Sequence, residues 1–296
     1  MSKQTTYTRH TDTSHRGALL EVSGLDISIR HDTHSTTVVR DLSLTLQAGE
    51  RLAIVGESGS GKTMTASAIL GLLPPRASVT SGSVRLLGED ITNLPSAQMR
   101  RYRGQLMGLV PQDPMSSLNP VHTIGWQIRE ALSAHAPLSR KAAATRAAEL
   151  LEMVGISEPE ARLKAYPHEF SGGMRQRVLI AMALALRPRL LIADESTTAL
   201  DVTVQAQVLD LIDALAADAG SAVILITHDL AVAAGRTDSL LVMRNGQAVE
   251  AGPTAALLAN PQAPYTRQLL AASPHFNRPR KSRFATASSS QTGTPL

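Results

Sequence analysis

The 296-residue chain has no cysteine. That absence excludes a disulfide scaffold, a thiolate zinc site, a cysteine-ligated iron–sulfur cluster and a cysteine nucleophile. Aromatic residues make up only 3%, with a single tryptophan, although 43% of the chain is apolar. Long apolar runs are missing as well. The longest, Val178–Leu186, spans nine residues, and a membrane-spanning helix needs about 20. No crossing of a membrane is expected. Met1–Gly17 is polar throughout and offers no charged-then-apolar leader, so the expected compartment is cytoplasmic.

What is present is enough chain for one large domain with a sizeable core. The net charge is +4 and the pI about 9.7, a balance that points first to nucleic acid. Locating the charge weakens that idea. Lys3, Arg9 and Arg16 sit in the first 18 residues, and Arg278, Arg280, Lys281 and Arg283 in the last 20, which leaves the middle slightly negative. Lysine is rare, five of the 29 basic residues, so each lysine in the core invites a specific explanation.

Residues 1–17 and 276–296 read as disordered tails, the second basic and Ser/Thr-rich. Between them, Leu19–Val22, Leu25–Arg30, Val38–Leu46 and Arg51–Val55 read as strands, with Gly24 and Gly49 as turns. A helix is expected from Lys62 to about Leu73, stopped by Pro74-Pro75. Further strands are expected at Ser83–Leu87 and Leu106–Val110. Helices follow at Ile124–His135, Ser139–Val154 (capped by Ser139 and Gly155) and Ser171–Leu186. Strands resume at Leu190–Ala193, Ala222–Thr227 and Ser239–Met243, the last joined to Gln247–Glu250 by the hairpin pair Asn245-Gly246. A β-rich start, a helical insert and alternating strands and helices indicate an α/β core with a helical subdomain at about 113–187.

Gly56-Glu57-Ser58-Gly59-Ser60-Gly61-Lys62-Thr63 fits G-x-x-x-x-G-K-[ST], after an apolar strand and at the start of a helix. Glycines let successive N–H groups curl round a phosphate, and the helix N-terminus adds partial positive charge. Lys62 would reach the β- and γ-phosphates of ATP, and the Thr63 hydroxyl would ligate Mg²⁺. Leu190–Asp194 is an apolar strand that ends in acid. Asp194 would hold Mg²⁺, and Glu195 would orient or deprotonate the water that attacks the γ-phosphate.

Phe170-Ser171-Gly172-Gly173-Met174-Arg175-Gln176 lies between those two motifs and resembles the S-G-G-x-x-Q signature of ATP-binding cassette (ABC) proteins. Gln112 matches the family's Q-loop, Ala199-Leu200-Asp201 its D-loop, and His228 its switch histidine, all in family order. The resemblance covers roughly residues 19–275, within an ABC ATPase domain expected at 18–275. It implies a P-loop ATPase core with an antiparallel β-subdomain and a helical subdomain. It also implies two cassettes packed head to tail, each ATP lying between one phosphate loop and the other chain's Ser171, Gly172 and Gly173. Asp201 would be among the nucleotide-binding residues. His228 would contact the γ-phosphate, and Gln112 would link Mg²⁺ and the attacking water to the helical subdomain.

Gln112–Pro120, Tyr166–Phe170, Thr198–Gln207 and Asn260–Thr266 narrow the resemblance to the ATPases of peptide, opine and nickel importers. Expected partners are a second, non-identical ATPase subunit, two integral-membrane permeases and an extracytoplasmic solute-binding protein. A soluble cassette working on DNA or ribosomes is the alternative class, disfavoured by one cassette, no cysteine and a near-neutral core; no nucleic acid is expected. A degenerate cassette that binds ATP without hydrolysis is a further reading.

Three departures stand out. Ser196 replaces a proline. Ile29, Arg30 and His31 stand where the family places an aromatic against adenine. The cysteine cluster of many relatives is missing, so no iron–sulfur centre is expected. Trp126 is expected in the core or at a permease contact, and Met153, Met174 and Met182 as core filling.

Overall fold

The computed structural model describes residues 17–135, 138–195 and 202–273. The tails expected at 1–17 and 276–296 lie outside the described residues apart from Gly17, and so do Ser196 and Asp201.

Two sheets organise the chain. In the antiparallel one, β1 (Leu20–Arg30) runs between β2 (Ser35–Leu46) and β4 (Ala77–Leu86), with β5 (Glu89–Asp90) at the edge. The second has the order β10-β9-β3-β8-β7-β6. In it β3 (Arg51–Val55), β6 (Met107–Val110), β7 (Leu190–Asp194), β8 (Ala222–Thr227) and β9 (Ser239–Arg244) are parallel. The edge strand β10 (Gln247–Pro253) returns antiparallel. Helix α1 (Lys62–Ile69) follows β3, and the single turn α2 (Ser96–Met99) precedes β6. Between β6 and β7 every element is helical: α3 (Pro114–Ser117), α4 (Ile124–Ser133), α5 (Arg140–Met153), α6 (Pro159–Arg162), a 3₁₀ turn at Pro167–Glu169, and α7 (Gly172–Leu184). Then come α8 (Val202–Ala219), α9 (Leu230–Ala234), α10 (Thr254–Ala259) and α11 (Pro264–Ala272).

The parallel strands are buried on both faces, and their period of two divides the core into layers. Leu52, Ile54, Leu190, Ile192, Ile224, Leu241 and Met243 pack with α1 and the antiparallel sheet. Leu191, Ala193, Val223 and Leu225 face the helical layer with α7 and α8. Ala53, Val55, Leu240 and Val242 face a third layer that includes α9, α10 and α11. Thus α1 is held between two sheets, with its N-terminus at the C-terminal ends of β3, β7 and β8.

Three expectations need correction. α1 stops at Ile69, not near Leu73. Gly71, at φ 62°, ends it in a left-handed turn where Gly71 N–H donates to Ala68 O (3.1 Å) and Leu72 N–H to Ser67 O (2.7 Å); the prolines come after the helix has already closed. Gly24 is not a turn between two strands. It is a bulge inside β1, at φ 56°, where the register with β2 and β4 shifts. β4 begins at Ala77, earlier than Ser83, because β1 pairs its exposed Ser- and Thr-rich half. The hairpin at Asn245-Gly246 forms as expected, with φ 50° and 80°.

Candidate functional site: a phosphate-loop cleft

β3 delivers the chain into the glycine-rich loop. The backbone turns so tightly at Gly56 that a Cβ there would lie 2.2 Å from the Met243 carbonyl oxygen and 2.8 Å from the Ser60 hydroxyl. Gly61 precedes α1 at φ 101°, a left-handed position that favours glycine. Lys62 is only 4% exposed, and its ammonium donates to the carbonyls of Gly56 (2.8 Å) and Glu57 (2.9 Å). Ser58 and Gly59 line the adjacent cleft.

The neighbouring strands bring acids and a histidine to the same place. The Thr63 hydroxyl donates to the Asp194 carboxylate at 3.3 Å. Asp194 is 6% exposed, and loss of solvent raises its carboxyl above the usual range; the Thr63 hydrogen bond opposes the shift, nearby Glu195 adds to it, and Lys62 lowers it. Glu195 is the meeting point. Its carboxylate lies 3.6 Å from Lys62 Nζ, accepts from Gln112 Nε2 at 3.1 Å, and lies 3.8 Å from His228 Nδ1. Gln112 follows β6 and His228 follows β8, so strands β3, β6, β7 and β8 each deliver one member. Glu195 is held at φ 38°, its N–H donating to the Ile226 carbonyl at 3.0 Å. Left-handed backbone is costly for a glutamate, and here it turns the side chain off the strand towards Lys62 and His228.

Lys62, Thr63, Gln112 and Glu195 border a cleft of about 260 Å³ that Val38 and Gly61 also line. A buried acid bonded to a hydroxyl at the edge of a polar cleft suits a hard cation. The described residues contain no cluster of three or more acidic or histidine ligands. The Thr63 hydroxyl and the Asp194 carboxylate are two hard oxygen donors side by side, a set that fits a hard cation such as Mg²⁺.

The sequence pattern described as "ABC transporter" matches residues 39–198, more than half of the chain. The chain belongs to the ABC transporter family. It is 49% identical over 257 residues to the oligopeptide transport ATP-binding protein OppD of Bacillus subtilis, covering 86% of this chain and 72% of that one. It is 50% identical over 267 residues to the protein of the same name from Mycobacterium tuberculosis, covering 90% of this chain but 44% of the relative. The chain thus spans less than half the length of that relative. Its fold matches a solved structure of the dimeric ATP-binding cassette MJ0796 bound to ADP and Pi, with a TM-score of 0.70, 25% identity and coverage of 79% and 98% of the two chains.

Not every residue singled out in the cassette's sequence reaches the cleft. Ser171 caps α7, accepting from Met174 N–H at 3.3 Å, and Gly172 and Gly173 form the helix's first turn. None of the three lines the cleft beside Lys62. Asp201 falls outside the described residues. Ile29, Arg30 and His31 do not line the cleft either; the His31 and His34 rings stack on each other at 4.5 Å beyond the end of β1.

Arg175 of α7 joins two of the distinctive segments. Its Nε donates to the Pro167 carbonyl at 2.7 Å, and its guanidinium contacts the Met115 sulfur. Trp126 is not in the core. It is 40% exposed and stacks on His122 with ring centroids 3.8 Å apart. Met153, Met174 and Met182 pack against the helical layer as expected. Two neighbours of the loop escaped the sequence reading: Val38 of β2, which lines the cleft, and Tyr265 of α11, whose hydroxyl accepts the Glu57 N–H. No local spacing marks either one, because both arrive through tertiary packing.

Proposed function

We propose that the chain is the ATP-hydrolysing subunit of an ABC importer, energising uptake of peptides or related small solutes (opines, nickel complexes) through partner permeases. One observation carries the reading: Lys62, Gln112 and His228 converge on the Glu195 carboxylate beside the Thr63–Asp194 pair. The loop N–H groups from Gly56 to Thr63 bind the phosphates, Lys62 offsets their charge, and Glu195 takes or orients a proton of the attacking water. His228 contacts the γ-phosphate. Thr63, Asp194 and Gln112 would hold Mg²⁺, and such an ion would supply positive charge to offset that of the phosphates. The ABC ATPase domain is assigned to 18–275, with its helical subdomain at about 113–187.

Ser171, Gly172 and Gly173 present N–H groups at a second helix N-terminus. In this reading they serve the ATP of a second, non-identical cassette, with Asp201 at the interface. The wider assembly is two permeases and an extracytoplasmic binding protein. Exposed Met115, Val121, Trp126 and Tyr166 on the helical segment offer the permease an apolar contact. No helix among the described residues is long and apolar enough to cross a membrane, in keeping with a subunit held at the cytoplasmic face of the plasma membrane by those permeases. The relatives named above are described as oligopeptide transport proteins, which supports import over work on nucleic acid. The deciding test replaces Glu195 with Gln in this subunit of the assembled complex. ATP turnover is expected to collapse; unchanged turnover overturns the assignment of the base.

A further inference from the structure

The reaction above gives no task to the segment 260–266, yet that segment touches the phosphate loop. Tyr265, the second residue of α11, is 4% exposed, and its ring packs in the layer containing Val55, Leu230, Val242 and Leu257. Its hydroxyl accepts the backbone N–H of Glu57 at 3.0 Å. The Arg244 guanidinium, at the end of β9, lies 4.6 Å above the ring. The segment is itself fastened down. The Glu250 carboxylate of β10 accepts the N–H groups of Gln262 (2.7 Å) and Ala263 (3.1 Å), and Arg267 donates back to the carbonyls of Pro261 (3.1 Å) and Gln262 (2.7 Å).

The consequence falls on one residue of the loop. Glu57 is gripped from both directions, its N–H by the phenol and its carbonyl by the Lys62 ammonium at 2.9 Å. Without the phenol, the Glu57 N–H loses its fixed partner and the backbone at an exposed position gains freedom to turn, taking with it one of the two carbonyls that aim Lys62. Burial raises the phenol's pKa above its ordinary value, while the Glu57 N–H hydrogen bond opposes that shift.

We propose that Tyr265 is a positioning residue of the nucleotide site, fixing the Glu57 backbone so that Lys62 meets the diphosphate of ATP or ADP in the correct orientation. The C-terminal segment is then a working part of the phosphate loop. This inference rests on the reading of 56–63 as a nucleotide site.

The test is calorimetric titration of the full chain with MgADP, together with ATP kinetics of the assembled transporter. Tyr265→Phe removes the hydroxyl and keeps the ring beneath Arg244. It is expected to weaken MgADP about three- to tenfold and to raise the KM for ATP with kcat unchanged, while the Tm stays within about 2 °C. Wild-type affinity in Tyr265→Phe overturns the proposal whatever the Tm. If affinity and Tm fall together, Leu257→Ala decides, since it loosens the same layer without touching the loop. An equal loss of affinity there overturns the proposal, and wild-type affinity there supports it. Lys62→Ala separates the two levels: MgADP binding that survives it refutes the nucleotide site itself, whereas binding that disappears while Tyr265→Phe binds normally refutes only the positioning role.

Discussion

The N-termini of α1 and α7 are built from the same materials and placed in opposite circumstances. Gly61 is the N-cap of α1 and Ser171 that of α7, and neither helix has an acid in its first turn to compete with a bound anion. The α1 end is sunk in a cleft, with a nearly buried lysine and an acid, an amide and an imidazole gathered from three other strands. The α7 end faces outward, its Ser171 side chain used in capping the helix. The first gathers within one chain the groups proposed to hold the phosphates and to handle the attacking water. The second offers helix N–H groups away from the Lys62 cleft, the arrangement that the proposed contribution to another chain's nucleotide calls for.

The strongest test of that contrast is Glu195→Gln. Turnover of the assembled complex should fall by roughly 10²- to 10⁴-fold, the usual worth of a positioned base, while nucleotide affinity measured by calorimetry changes by no more than about twofold. Next is Ser171→Asp, which keeps an N-cap acceptor but sets a negative charge where phosphate would approach. Turnover of the complex should fall about tenfold or more, with MgADP binding to the lone chain unchanged. Weakened binding by the lone chain would erase the distinction between the two ends.

Asp194→Asn should separate chemistry from stability. Burial raises the Asp194 carboxyl, so its ionisation is resisted by the fold and costs stability once pH climbs past the value of an unfolded aspartate, near 3.8. The cost is absent in acid, grows until the raised folded value is passed, and then persists through neutrality. The variant should therefore melt at the wild-type temperature or above at pH 7 and lose that advantage below about pH 4, as followed by calorimetry, while Mg²⁺-dependent turnover is lost. The smallest effect belongs to Gly71→Ala. It strains a left-handed helix end far from both anion sites, so it should cost about 1 kcal/mol and lower the Tm by about 2–4 °C without altering MgADP affinity.

Legibility in the sequence followed the range of the interactions. Gly56–Thr63 was readable because eight adjacent residues build one object, and the Asn245-Gly246 hairpin for the same reason. Residues such as Gln112 and His228 became interpretable through resemblance to a family; their approach to Glu195 depends on strands far apart in the chain lying side by side. The end of α1 was misplaced because a proline pair is a conspicuous stop, whereas the glycine that closes the helix three residues earlier looks like many others. Tyr265 was invisible as a neighbour of Glu57, since 208 residues separate them and only the packing of α11 against β3 and β9 brings them together. Trp126 was half legible. Its helix was expected, but its exposure and its stacking on His122 depend on which face of α4 the neighbouring segment covers.

The left-handed backbone at Glu195 has an evolutionary corollary. Glycine, asparagine and aspartate occupy that conformation at little cost, whereas glutamate does so at a penalty of order 1 kcal/mol. Retaining a glutamate there works against a steady thermodynamic pull towards smaller residues, which the proposed catalytic role would offset. In descendants that retain nucleotide binding but no longer need hydrolysis, position 195 should be among the first to drift, and towards asparagine or glycine. A lineage in which it drifts at random would show that the backbone exerts no such pull.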